Sequence, residues 1–161
     1  MTSARVKELA REAGFDLAGI AAAEPFERER DALTERIDAG MFDGLTWFTR
    51  ERAQVATDPR ALLPEARSII SLGLSYDTCD DGPEGTIARY AWGADYHELI
   101  RARLKTFQQR LAEEAGQFEF RNFVDTGRLV DRAAAVRAGL GWYGKNTNLL
   151  NTRVGSWLFL A

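Results

Sequence analysis

Leu99, Ile100, Leu104, Phe107 and Leu111 recur at helical spacing through ADYHELIRARLKTFQQRLAEEAG, with polar residues between them. This period predicts the clearest helix of the chain, with Gly116 as its stop. Asp95 and Glu98 form a capping-box-like D-x-x-E at its start, so Asp95 is expected to cap it. A second amphipathic run, Ala4–Ala13, has Ser3 as its expected cap and Gly14 as its stop. FDLAGIAAA follows as a strand over Phe15–Ala22. Pro25 suits the first turn of a further helix that runs through FERERDALTERIDAG and stops near Gly40. GLTWFTRERAQ reads as a short helix broken at Asp58-Pro59. Ala66–Tyr76 carries Ile69 and Ile70 and is the best strand of the first half.

DTCDDGPEGT is a polar, turn-forming loop. FEFRNFVDT reads as a strand, RLVDRAAAVRAG as a helix ending at Gly139, and NTNLLN and SWLFLA as two strands joined by a tight turn at Thr152–Gly155. The order α-β-α-α-β-α-β-α-β-β contains βαβ stretches but ends in a hairpin. It predicts an α+β fold, a mixed or antiparallel sheet flanked by helices. One domain accounts for the 161 residues.

Composition narrows the chemistry. The apolar fraction of 45% and charged fraction of 28% suit a globular domain. No stretch approaches the roughly 18 apolar residues of a membrane span, and no partner membrane is expected. A single cysteine, Cys79, and a single histidine, His97, leave no cysteine-rich or multi-histidine metal site within the chain. A cytoplasmic location is the default. Net charge is −3, yet residues 1–88 hold 10 basic and 17 acidic residues, while residues 89–161 hold 11 basic and 7 acidic. The basic half suits a phosphate-bearing partner, or the asymmetry averages out over the folded surface; charge alone leaves both open.

GLGWYGKN, Gly139–Asn146, matches G-x-G-x-x-G and most of G-x-x-x-x-G-K-[ST]. Both phosphate-binding patterns need a strand before the loop and a helix after it. Here a helix precedes and a strand follows, so nucleotide binding is disfavoured. The glycines, Trp142, Tyr143, Lys145 and Asn146 instead suit a large, flat, amide-fringed ligand, or else a helix cap leading into a strand whose aromatics fill the core. ARYAWGADYH repeats the mixture with Arg89, Tyr90, Trp92, Tyr96 and His97 around Gly93. His97 is either a hydrogen-bonded helix-start residue or a catalytic group. Asp125, where an apolar run gives way to a helical pattern, has two compatible readings: it caps the helix, or it hands a proton to a substrate.

GFDLAGIA, LLPEARSIISLGLSY, GTIARYAWGADYH, FVDTGRLVDRAAAVRAGLGWYGKNTNLL and GSWLFLA occur in this order. Together they resemble the N-terminal domain of the epoxyqueuosine reductase family over essentially the whole chain. The resemblance implies a fold like the flavin-reductase-like domains of cobalamin-processing proteins. It implies cobalamin as cofactor, held against a following ferredoxin-like domain with two 4Fe–4S clusters. In the family those clusters reduce the cobalt, and the epoxide of epoxyqueuosine in tRNA becomes the alkene of queuosine.

By the same resemblance, Asp125 of the VDT motif is the acid that protonates the departing oxygen, kept uncharged beneath the corrin. The segment with Arg89, Tyr90, Tyr96 and His97, the segment with Gly144, Lys145 and Asn146, and Ser156 with Trp157 are implied to line the cobalamin pocket. Arg128 stands where family members commonly carry proline. Ala56 stands where an arginine often precedes the Asp-Pro pair, a role that Arg52 or Arg60 would have to take. Lacking cluster ligands, the chain is expected to be the N-terminal part of a longer protein or to use a separate electron donor. The alternative is a non-catalytic module that carries cobalamin or another tetrapyrrole.

Overall fold

The structure, a computed structural model, describes residues 1–77, 87–125 and 127–161. The centre of the polar loop, with Cys79, lies outside them. The chain forms α1 (Ser3–Glu12), β1 (Leu17–Ala22), α2 (Glu27–Asp38), α3 (Arg50–Thr57), α4 (Pro59–Leu62), β2 (Ser68–Ser75), α5 (Tyr96–Ala115), α6 (Asp131–Arg137), β3 (Trp142–Tyr143), β4 (Leu149–Leu150) and β5 (Leu158–Leu160), with a 3-10 turn at Arg89–Ala91 before α5. The α+β class is as expected, and every strand pair among the described residues is antiparallel.

β2 is the central strand of a sheet ordered β1-β2-β5. Its side chains alternate between two faces, as the strand period of two requires. Ile70, Leu72 and Leu74 pack with Leu9 and Phe15 and with Ile100, Leu104, Phe107 and Leu111 of α5. On the opposite face lies α6. Its run of alanines, Ala133–Ala135, is fully buried and lets the helix sit close to the sheet. Gly19 of β1 marks that closeness, because a Cβ there would collide with the Ala138 carbonyl.

Several expected boundaries shift for local reasons. Thr2, not Ser3, caps α1 through its side chain. Gly14 follows at φ 96, a left-handed stop. The helix expected within GLTWFTRERAQ starts only at Arg50, capped by Thr49. Asp58-Pro59 does not simply end it: Asp58 caps α4, and Pro59 takes its first turn. Leu99 is 46% exposed and leaves the apolar face of α5 to its four companions.

Two larger expectations fail. FEFRNFVDT is not a strand: Glu119–Phe123 runs without a ladder, and Phe118 and Phe120 stay largely exposed. Alternation makes a segment two-faced, but a strand also needs a paired neighbour. NTNLLN and SWLFLA do not form one hairpin. The turn closes through Asn151 and Gly155, but β4 then pairs with β3, while β5 joins β2. The short hairpin strands are drawn to different neighbours because Leu149 packs under α6 with Leu140, whereas Phe159 packs on the α5 side of the main sheet.

Gly19→Ala is expected to cost about 1–3 kcal/mol through overpacking against α6. A urea midpoint unchanged from wild type would show that α6 does not seat against β1 as described.

Candidate functional site

The first turn of α5 builds the site. Asp95 caps the helix, accepting from the His97 N–H at 2.9 Å. The partner expected of it, Glu98, instead pairs with Arg101. Asp95 Oδ1 also lies 2.7 Å from Nδ1 of the His97 ring. His97 is therefore a helix-start residue, the first of its two readings, and its ring is oriented by the cap. With Nδ1 donating to Asp95, Nε2 is left to face outward. It stands 3.7 Å from Asp125 Oδ2, beyond hydrogen-bond reach but within reach through a bridging atom.

Tyr96 makes the direct contact. Its hydroxyl donates to Asp125 Oδ2 at 2.6 Å. Its ring stacks on Phe159 of β5, with centroids 4.0 Å apart and planes within 7°, and on His97 at 4.1 Å. Burial first, then the hydrogen bond to Asp125 and its charge, raise the Tyr96 pKa to about 12. The phenol therefore stays protonated and keeps donating throughout the neutral range.

Asp125 does not cap α6. That helix begins at Asp131 after Val130, with no side-chain cap, and Asp125 lies further upstream. It occupies the left-handed region at φ 58. Aspartate tolerates this better than most residues, but it is a conformation held by its surroundings. Val124 on one side packs against the main core, and Leu129 beyond it packs with Phe26. The carboxyl so presented is 61% exposed.

Sequence reasoning missed a second carboxylate. Asp131 lines, together with Asp125, a cavity of about 600 Å³ bounded by β2, α5 and the Phe118–Phe123 segment. Its tip reaches solvent, yet protein crowds its flank. That burial, aided by the charge of Asp125, raises its pKa against the opposing Arg132 N–H, which donates to Oδ1 at 2.6 Å. The available signal was spacing: a carboxylate six residues after the VDT aspartate, at a helix start.

The residues expected to hold a cofactor divide into two groups. Arg89 lies over the Trp157 ring at 4.9 Å and over Trp92 at 5.1 Å, and pairs with Asp77 at 2.9 Å. Tyr90 meets Tyr96 edge-on at 6.5 Å, and Tyr76 joins Trp157 to Phe159. Arg89, Tyr90, Tyr96, His97 and Trp157 thus belong to one aromatic cluster, in which Tyr90 is 51% and Trp157 40% exposed. Ser156 adjoins it, its carbonyl accepting from Leu158 N–H.

Gly144, Lys145 and Asn146 form the other group, in the turn between β3 and β4. Gly144 N–H donates to the Asn148 carbonyl at 2.8 Å, and Asn146 Oδ1 accepts from Asn148 N–H. Arg132 of α6 ties the turn down at the Thr147 carbonyl. Lys145 therefore sits in a β-turn between two paired strands, with no helix after it, which removes the phosphate-loop geometry. Gly141 shows where the close backbone approach goes: a Cβ there would strike the Leu150 carbonyl. Neither group lines the 600 Å³ cavity. Asp125 joins the aromatic group to the cavity, bonded to Tyr96 and lining the cavity. As for the departures, Ala56 is buried with its carbonyl accepting from Val130 N–H, and Arg52 lies over Trp47 instead of near the cluster.

The fold is that of a family of reductases. Residues 57–126 match the family described as "Epoxyqueuosine reductase QueG, DUF1730". An epoxyqueuosine reductase of Xanthomonas campestris pv. campestris is 38% identical over 168 aligned positions, covering 99% of this chain and 47% of that protein. A crystal structure of an epoxyqueuosine reductase with an epoxyqueuosine-modified tRNA-Tyr stem loop superposes with a TM-score of 0.84 at 31% identity, over 98% of this chain and 43% of the other. A Bacillus subtilis epoxyqueuosine reductase, with its catalytic aspartate loop swung out of the active site, gives 0.80 at 30% identity over 98% and 43%. The chain belongs to the epoxyqueuosine reductase family through its DUF1730 domain, and it spans about half the length of the curated relatives it matches.

A raised folded-state pKa means that Tyr96 adds stability that is whole below about pH 10 and is lost as pH climbs through about 12. The absorbance difference at 295 nm between wild type and Tyr96→Phe should titrate near 12, and Asp125→Asn should move it down. A Tyr96 titration at the ordinary value in wild type would mean that the bond to Asp125 does not form in solution.

Proposed function

We propose that this chain is the cobalamin-binding, substrate-facing domain of an epoxyqueuosine reductase, which reduces the epoxide of epoxyqueuosine in tRNA to give queuosine. One observation carries the reading: Asp125, on a left-handed turn, is offered outward while Tyr96 holds its Oδ2 and His97 faces it. Conversion of an epoxide to an alkene takes two electrons and two protons and releases water. The oxygen leaves as an alkoxide unless it is protonated, and a positioned carboxylic acid lowers that barrier. Asp125 supplies the proton. The Tyr96 hydroxyl then stabilises the carboxylate that remains, by a charge-assisted hydrogen bond of the kind already present.

The chain's own residues fit a large, flat cofactor. Tyr90 and Trp157 leave aromatic surface open beside Asp125, and Arg89 places a cation over Trp157. Bound cobalamin supplies the reducing electrons, drawn from 4Fe–4S clusters in a downstream ferredoxin-like domain or from a separate donor. The aromatic cluster with Ser156 holds it on one side, and the turn with Gly144, Lys145 and Asn146 offers amide and ammonium groups for its polar fringe. Such a ligand excludes water from the carboxyl, which the chain alone leaves in solvent. The relative bound to a tRNA stem loop and the relative with a catalytic aspartate loop both support the reading. Cytoplasmic location follows from the tRNA substrate. Among the described residues no helix is long and apolar enough to cross a membrane.

In the full-length protein, Asp125→Asn should lower turnover by about 100-fold or more while cobalamin affinity stays near wild type. Trp157→Ala with Arg89→Ala should weaken cobalamin binding itself. Normal turnover by Asp125→Asn ends the acid role. Tight cobalamin binding by a wild-type protein without reductase activity would instead identify a non-catalytic cobalamin module.

A further inference from the structure

A second groove lies along the flank of α5. It is lined by Arg101, Lys105 and Arg128, by Gln108 and Asn122, and by the residues that bracket the catalytic turn, Val124 and Gly127. Among the described residues no carboxylate lines it. Arg101 is held by Glu98 at 2.7 Å, but the pair is solvent-exposed and weak. Lys105 and Arg128 have no carboxylate partner among the described residues, and both are exposed. A concave wall with three cations and no anion concentrates a positive potential where it is built.

An independent feature points the same way. Gln108 Nε2 is buried and has no hydrogen-bond partner among the described residues. Leaving a buried donor unpaired costs about 1–3 kcal/mol, so such groups are usually satisfied by something. Gln108 lines this groove as well as the larger cavity. A donor without an acceptor, beside cations without anions, calls for an oxyanion.

We infer that the groove binds a backbone phosphate of the RNA, seating the strand so that its modified nucleoside reaches Asp125. This rests on the proposed function, which supplies RNA as the substrate. Position favours a phosphate of that strand over other anions: the groove is lined by Val124 and Gly127, which flank the turn that carries Asp125, so the backbone of an RNA whose nucleoside meets the carboxyl passes close to it. Arg128, at the departure from the family's common proline, becomes a positioning residue that anchors the strand from the turn, while Lys105 and Arg101 anchor it from the helix.

The test uses the full-length protein and an epoxyqueuosine-bearing stem-loop RNA, with affinity measured across a range of potassium chloride concentrations. Lys105→Gln with Arg128→Gln should weaken RNA binding about tenfold near 0.15 M salt. It should also flatten the dependence of log affinity on log salt by about 0.7 for each phosphate of single-stranded RNA that is no longer neutralised. Cobalamin affinity should stay within about twofold of wild type, which a merely unfolded variant would not satisfy. Equal RNA affinity and equal salt dependence in the double variant, with wild-type reduction intact, overturn the groove and spare the proposed function. Equal competition by a polyglutamate peptide overturns the assignment to phosphate. Failure of the wild-type protein to bind or reduce the RNA at all removes the proposed function, and the groove's assignment with it.

Discussion

The stacking of Tyr96 on Phe159 joins the parts of this domain that matter for chemistry. Phe159 belongs to β5, an edge of the main sheet, and Tyr96 is the first residue of α5. The ring contact pins the helix start to the sheet. From that pinned ring the hydroxyl reaches the Asp125 carboxyl, and the next residue turns its imidazole toward the same oxygen. Without the stack, the first turn of a helix is free to fray. With it, a carboxyl on a strained turn gains a fixed partner.

The core explains why this joint is rigid. Ile100, Leu104, Phe107 and Leu111 anchor α5 along its length against Leu9, Leu72 and Leu74. Each such fully buried side chain contributes about 1.5–3 kcal/mol. The opposite face of the sheet is sealed by the alanines of α6, whose small size draws that helix inward. Asp125 lies on the connection between these two layers. Its turn is stretched between Val124, which packs on one face, and Leu129, which packs on the other.

Polar groups then sort by what each layer leaves open. The aromatic cluster around Arg89 and Trp157 remains half-exposed because its rings extend past the three-stranded sheet. The cationic flank of α5 remains open because the segment after Gly116 passes beside it without pairing. Asp125 borders both, and also the cavity it shares with Asp131. A cofactor surface, a proton donor and an anion-binding wall are thereby placed next to one another by a single helix and the turn that faces it.

Local chemistry was legible along the chain. The apolar stripe of α5, apart from Leu99, its Asp95 cap, the Gly116 stop and the β-branched strand at Ile69–Ile70 follow from spacing and backbone preference, which neighbours in sequence suffice to impose. The inverted order around GLGWYGKN was equally readable, since it concerns succession only. Pairing was not readable. Phe118–Arg121 alternates like a strand but has no ladder, and β4 and β5 part company after a well-formed turn, because a strand exists only where another backbone meets its hydrogen bonds. The same limit hid Asp131 and left Asp125 with two readings. Whether a carboxylate caps a helix or faces a tyrosine depends on where that helix begins in space. Here packing against Phe26 and the sheet starts it at Asp131, five residues too late for Asp125 to serve as its cap.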